Sequence, residues 1–256
     1  MAAEALVPTS AEEAARLYGD GAGVTVFAGG TILLPEISAG RLKPEKALML
    51  HRSGLDGIRT DGGTIRIGAM TPVSALVAGA SELLSRFAEE LGDGEVRRSA
   101  TVGGNLCATP GVGAQRGDLG APLIALGARV RSTGRGGEQT EPVEDFLAGD
   151  RGGRLVLEIE LDAPSGKWAA ETLRRRHAHS YAIANVAAAT DGEGLRIGIS
   201  GVGGVAVRAR VAEQSRNPDD VLQDVQPVDD AVASAEYRRK MLPVLLRRAL
   251  DQLGTA

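Results

Sequence analysis

The sequence predicts an α/β (α+β) protein assembled from short strands and short helices. Three observations predict it. The chain has 256 residues, 43% of them hydrophobic and 24% charged, enough for one large core or two to three smaller ones. Apolar runs of strand length alternate with capped, amphipathic stretches of helix length. Glycine is abundant, at 35 residues, and recurs as pairs between the apolar runs: Gly29-Gly30, Gly62-Gly63, Gly103-Gly104, Gly136-Gly137, Gly152-Gly153 and Gly203-Gly204. Such pairs suit tight turns between strands.

Taken in order, Ser10 caps a helix. Glu13 stands three residues on, as a capping box requires, and Ala14, Leu17 and Tyr18 form its apolar face. Gly19 and Gly21 end it. Val24 to Phe27 reads as a buried strand and Ala28 to Thr31 as a loop. Ile32 to Ile37 continues in apolar fashion, with Pro35 limiting any helix. Ala47 to Leu50 is a second buried strand, so the first 50 residues or so form a small β-α-β unit.

A second segment follows. Thr64 to Gly68 alternates like a strand with one wet face. Thr71-Pro72 opens a helix with Pro72 at its first position, and another helix runs near Glu82 to Leu91. Asp118 to Leu126 reads as a short apolar helix, and Ala128 to Ser132 and Leu155 to Leu161 as strands. A third segment starts near Pro164. Ala182 to Ala189 and Leu195 to Ser200 form a hairpin around Asp191-Gly192-Glu193-Gly194. A helix from about Asp229 to Leu253 closes the chain, with Tyr237, Met241, Leu245 and Ala249 four apart on one stripe. Pro243 lies within it and is expected to kink or split it.

Composition excludes several functions. A net charge of -4 argues against nucleic acid as a partner, since phosphate backbones select basic surfaces. No apolar run approaches the ~20 residues that span a bilayer, so no transmembrane segment is expected. The opening MAAEALVPTS has no basic region followed by an apolar stretch, so no secretory signal is expected and the location expected is cytoplasmic. The single cysteine, Cys107, reads as a small buried hydrophobe. It leaves no intramolecular disulfide and no iron–sulfur cluster held by this chain alone. His51, His177 and His179 are too few and too badly spaced for a metal site, and no nucleophile–His–acid set stands out, so neither metal-ligating nor catalytic residues are assigned. Redox chemistry in this chain therefore requires an organic cofactor or a partner.

Two glycine segments carry the candidate chemistry. The first is Val26-Phe27-Ala28-Gly29-Gly30-Thr31-Ile32-Leu33, a strand running into a diglycine and a threonine. The second is Thr101-Val102-Gly103-Gly104-Asn105-Leu106. Glycine admits positive φ and lets backbone approach a ligand closely. Successive amides then form a concave nest for phosphate oxygens, to which Thr31, Thr101 and Asn105 can add side-chain hydrogen bonds. Two such segments would clamp a pyrophosphate from both sides. Neither is a G-x-G-x-x-G fingerprint or a GK[ST] phosphate loop, and a lone Gly-Gly after a strand is ordinarily just a turn.

The runs VFAGGTILLPEISAGRLKPEKALMLHR, TIRIGAMTPVSAL, EVRRSATVGGNLC and GDLGAPLIALGARVRS, with LRIGISGVGGVAVRARVAE and SAEYRRKMLPVLLRRALDQL in the final third, resemble the FAD-binding medium subunit of the molybdenum hydroxylases. That family includes xanthine dehydrogenase and aerobic carbon monoxide dehydrogenase. The resemblance spans nearly the whole chain in order, and it implies an FAD-binding domain of the PCMH type over residues 1–163, with subdomains of about 1–54 and 55–163. A small C-terminal α/β domain would follow over 164–256.

By that resemblance Val26, Phe27, Ala28, Gly29, Gly30, Thr31, Ile32 and Leu33 wrap the FAD pyrophosphate. Thr101, Gly103, Gly104 and Asn105 form the second phosphate and ribityl loop. Asp118 hydrogen-bonds the cofactor, Val156 abuts the flavin, and Arg174 stands near its ring. Ile32 replaces the polar residue that often follows AGGT, and Leu91 replaces an aromatic that stacks on the isoalloxazine in xanthine dehydrogenases. The stretch Ala108 to Gly117 is lengthened, and Tyr181-Ala182 stands where an acidic residue is usual. The implied partners are a small iron–sulfur subunit with two [2Fe–2S] clusters and a large molybdenum-cofactor subunit. An external acceptor such as NAD, oxygen or a quinone would take the electrons. The rival readings are a stand-alone flavin oxidase or dehydrogenase and an FAD-free assembly subunit. Outside the loops, Arg97-Arg98 would sit either by the phosphates or on the surface. Arg174 to His177 reads as a solvated strand face, with a phosphate or partner patch as the alternative. Trp168 reads as core or interface packing, and Tyr181 as the residue that opens the strand facing the cleft, with approach to the flavin as its alternative role.

Overall fold

A computed structural model describes residues 4–108, 117–176, 181–192 and 194–254. Residues 109–116 of the lengthened stretch before Asp118, together with His177, His179 and Glu193, lie outside the described residues.

Three sheets divide the chain. The first is parallel, in the order β1-β3-β2, and is built from β1 (Glu4–Leu6), β2 (Val24–Phe27) and β3 (Lys46–Met49) with helices α1 (Ala11–Tyr18) and α2 (Leu33–Ser38). Ser10 caps α1 by accepting from the Glu13 amide at 3.1 Å. The Glu13 carboxylate reaches back to the amide and hydroxyl of Thr9, both at 2.8 Å, so the capping box closes one residue earlier than its usual form. Pro35 does not limit α2. It lies in the first turn, where a backbone N–H has no intrahelical acceptor to lose.

The second sheet is antiparallel, in the order β4-β5-β8-β6-β7. Its strands are β4 (Ile58–Asp61), β5 (Thr64–Gly68), β6 (Arg129–Gly134), β7 (Gln139–Pro142) and β8 (Arg154–Asp162). Between β5 and β8 the chain also forms α3 (Val73–Val77), α4 (Glu82–Glu90), α5 (Gly94–Ser99), α6 (Val102–Leu106), α7 (Gly120–Ala125) and α8 (Val143–Ala148). Pro72 sits one residue before α3, in extended backbone, rather than at its first helical position. The largest buried cluster packs Ile67, Leu83, Leu84, Phe87, Leu123 and Ile159 between these helices and the sheet.

The third sheet is antiparallel too, in the order β12-β11-β10-β9. It comprises β9 (Trp168–Arg174), β10 (Ala182–Asp191), β11 (Gly194–Ser200) and β12 (Val207–Arg208), followed by α9 (Arg210–Ser215), α10 (Val221–Asp224) and α11 (Ala235–Leu253). The expected hairpin forms, with Asp191 opposite Gly194. Trp168 packs against the central cluster and its indole donates to Glu82 at 3.2 Å, tying β9 to α4.

Helix α11 departs from expectation twice. It runs unbroken through buried Pro243, because Leu242, Leu245 and Leu246 hold that turn in a buried cluster whatever backbone bond is missing. The stripe spaced by four also drifts around the helix, since 3.6 residues complete a turn. Leu245 and Ala249 are buried while Tyr237 is 42% exposed. The helix begins at Ala235 rather than near Asp229, with the preceding loop gathered around Arg238. That side chain is 0% exposed. Its Nε donates to the Ile183 carbonyl at 2.9 Å, Nη1 to Val228 and Ala233 carbonyls at 2.6 and 2.8 Å, and Nη2 to Asp230 at 3.0 Å. Among the described residues no helix is long and apolar enough to cross a membrane.

Replacing Arg238 with Ala removes the cation paired with Asp230, which keeps its amide donors from Val232 and Ala233, and takes the guanidinium donors from the Ile183 and Val228 carbonyls. The change is expected to cost about 3–5 kcal/mol, read as a lower urea midpoint at unchanged slope.

Candidate functional site

A cleft of about 510 Å³ opens where the three sheets' surroundings meet, within the roughly 300–1,000 Å³ of small-molecule sites. The structure brings nearly all of the expected residues to its wall. Val26, Ala28, Gly29, Gly30, Thr31, Ile32 and Leu33 come from the first glycine segment, and Thr101, Gly103, Gly104 and Asn105 from the second; Asp118, Val156 and Arg174 complete the set. Phe27 is the exception. It lies on β2 next to Val26, and successive side chains on a strand point to opposite faces. Val24 and Val26 line the cleft, while Phe27 is buried away from it.

The two glycine segments touch. A Cβ on Gly29 would stand 1.9 Å from the Ser99 carbonyl oxygen, and one on Gly104 would stand 3.7 Å from the Ala28 Cβ. Gly30 takes φ +73°, in the left-handed region that favours glycine. A Cβ on Gly103 would come within 2.8 Å of the Ala69 Cβ.

Their chemistry differs, and here the expectation of two matching amide nests is corrected. The second segment is the first turn of α6 rather than a loop. Its amides have internal acceptors: Val102 donates to the Thr71 carbonyl at 3.0 Å, Gly103 to Ala69 at 2.8 Å and Asn105 to Thr101 at 2.8 Å. Gly104 donates to the Thr101 hydroxyl oxygen at 3.1 Å. In the first segment no acceptor among the described residues meets the amides of Gly29, Gly30, Thr31 or Ile32. The first bond there runs from the Leu34 amide to the Gly30 carbonyl, at 3.0 Å.

The side chains of the second segment are anchored as well. Asn105 Oδ1 accepts from the Leu119 amide at 3.0 Å, leaving Nδ2 as its donor. Asp118 accepts from Asn185 Nδ2 at 2.9 Å, and the same nitrogen donates to Ser200 at 3.1 Å. Asn185 thus ties the third sheet to the cleft. It is 1% exposed and was missed by the sequence reading, although it is the lone polar residue in the apolar run 182–189.

Arg174 lies on the wall with its guanidinium paired to Glu90, which also pairs with Arg86. Leu91 and Val156 give the wall apolar surface, and half-exposed Tyr181 precedes β10 at the edge. Arg97 and Arg98 are both off the wall: Arg97 donates to the Glu89 and Gly92 carbonyls at 3.0 and 2.9 Å, and Arg98 pairs with Glu95. Arg175 donates to the Ala231 and Val232 carbonyls. His51 is exposed on a short turn. Cys107 closes α6 beside the cleft, and burial pushes its thiol up to about 11. Among the described residues no three or more His, Cys, Asp or Glu are grouped to hold a metal ion.

Comparison with known proteins gives the family. A family model described as the FAD binding domain in molybdopterin dehydrogenase matches residues 1–162. The carbon monoxide dehydrogenase medium chain of Hydrogenophaga pseudoflava is 29% identical, over 95% of this chain and 94% of that one. The uncharacterized protein YgfM of Escherichia coli K12 is 30% identical, over 93% and 92%. In fold, a chain of the solved carbon monoxide dehydrogenase from Hydrogenophaga pseudoflava superposes with a TM-score of 0.87 at 28% identity, covering 99% of this chain and 98% of that one. A chain of quinoline 2-oxidoreductase from Pseudomonas putida 86 shares the fold, with a TM-score of 0.84 at 20% identity over 100% of this chain and 98% of that one. The chain belongs to the family of FAD-binding domains of molybdopterin dehydrogenases, and the mixed α/β fold expected from the sequence is the fold observed.

Two outcomes follow from the packing. Gly29→Ala cannot be accommodated, because the atom in the way is backbone; it is expected to destabilise by more than the ~1–3 kcal/mol of ordinary overpacking, measured by urea unfolding. Because only the thiolate is nucleophilic and burial raises the Cys107 pKa, iodoacetamide at pH 8 is expected to label native Cys107 more slowly than unfolded chain, even though the residue reaches the cleft wall.

Proposed function

We propose that this member of the FAD-binding family of molybdopterin dehydrogenases is the electron-transfer flavoprotein subunit of a multi-subunit molybdenum hydroxylase in the cytoplasm. Its partners on this reading are a small iron–sulfur subunit and a large molybdenum-cofactor subunit, and it hands electrons to an external acceptor. The carbon monoxide dehydrogenase medium chains among its relatives support a subunit role.

The observation that carries the reading is the set of four amides at Gly29 to Ile32 that no acceptor among the described residues meets, on the wall of a cleft of about 510 Å³. Backbone N–H groups in a turn with a positive-φ glycine suit phosphate oxygens. The residues present therefore fit a flavin dinucleotide. Gly29, Gly30, Thr31 and Ile32 would hold its diphosphate. Thr101 and Asn105, fixed by their own bonds, would present a hydroxyl proton and an amide nitrogen. Leu91 and Val156 would exclude water from the ring, and Arg174, held by Glu90, would set the charge beside it. When bound, FAD supplies redox chemistry that no side chain of this chain offers. The protein supplies binding, orientation and electrostatics.

The domain division belongs to the same proposal. Residues 1–163, in parts of about 1–54 and 55–163, form the FAD-binding domain, and 164–256 form the C-terminal domain. Three sheets and three buried clusters support it.

Purified from its native complex, the chain is expected to carry one FAD, seen as absorbance at about 450 nm, and to co-purify with iron and molybdenum. A chain that stays colourless in saturating FAD overturns the flavoprotein reading. A yellow chain without those partners overturns the subunit reading alone.

A further inference from the structure

A diphosphate carries two negative charges, and the amides of a single turn leave their compensation incomplete. The second glycine turn offers no unengaged amide, so positive charge must come from the wall. Among the described residues three arginines line it: Arg151, Arg154 and Arg174. Arg174 is paired with Glu90. Arg154 is fully engaged: Nε and Nη2 donate to the Ser132 hydroxyl oxygen, Nη2 also to the Ser132 carbonyl, and Nη1 to the Arg135 and Gly137 carbonyls at 2.9 and 3.0 Å. Arg151 differs. Its Nη1 is buried, and no acceptor among the described residues meets it.

Burying a guanidinium donor without a partner is costly, so such a group points to a missing ligand. The turn that bears it, Arg151–Gly153, is held in place. The Gly152 carbonyl accepts from the Tyr18 hydroxyl at 3.0 Å, and the Gly153 carbonyl accepts from the Arg135 amide at 3.2 Å. Arg151 shares the cleft wall with Gly104, Asn105 and Cys107, the residue that closes α6. Guanidinium is the side chain best matched to phosphate oxygens.

We infer that Arg151 is a phosphate-binding residue of this cleft, its Nη1 donating to the diphosphate of the dinucleotide. The inference rests on the flavoprotein reading and adds the cation that the glycine turns lack.

Full-length apo-protein, as wild type, R151M and R151K, would be titrated with FAD, with ADP (diphosphate without flavin) and with riboflavin (flavin without phosphate). Thermal melting would confirm that the variants fold. R151M is expected to weaken FAD and ADP about tenfold or more while leaving riboflavin unchanged, and R151K to recover part of the loss. A folded R151M that binds FAD and ADP like wild type overturns the assignment to Arg151, as does an equal loss for riboflavin. Wild type that binds neither FAD nor ADP overturns the flavoprotein reading itself.

Discussion

The carbonyl of Ser99 fills the space where a side chain at position 29 would begin. This contact, backbone against backbone at the junction of α5 and α6, joins the N-terminal sheet to the central one. The contact does not depend on side-chain packing, so it cannot relax by a change of rotamer. The cleft is the space left beside this seam. Its walls hold position because Tyr18, Leu50 and Leu155 pack in one cluster and Phe87, Ala100 and Val156 in another. Asn185 then draws the third sheet in by bonding Asp118.

The two glycine turns look alike in sequence and do different work. The first keeps its amides available and uses positive φ at Gly30 to aim the chain away from β2. The second gives its amides to Thr71, Ala69 and Thr101 and so becomes the fixed surface against which the first is set. Glycine at 29 and 103 answers to close approach, and glycine at 30 to conformation. On the proposed reading, the diphosphate would take its backbone donors from one turn and its charge partner from a separate side chain.

Much of this was legible in the sequence. Strand β5 shows strict alternation over Thr64 to Gly68, and the β10–β11 hairpin is flagged by a polar, glycine-rich turn. Ordered motifs resembling a known family located the cleft wall almost residue by residue. What escaped had physical reasons. Strands β1, β4, β7 and β12 are two to four residues long, too short to establish a period. Helix α6 was hidden because Gly-Gly is a poor helix former, and its helicity is imposed by the Thr101 cap and by acceptors distant in sequence. Pro243 misled because local propensity yields to a buried cluster. The roles of Asn185, Glu90 and Arg151 emerge only when separate elements meet.

Amide hydrogen exchange, resolved by residue with and without FAD, tests the seam and the cleft together. Exchange is slow where a backbone N–H has a stable acceptor. The amides of Gly29, Gly30, Thr31 and Ile32 should exchange fast in the apo-protein and slow strongly when FAD binds. Those of Val102, Gly103, Gly104 and Asn105 should already be slow and change little. Unchanged exchange at 29–32 under saturating FAD, or protection confined to 102–105, would contradict the account.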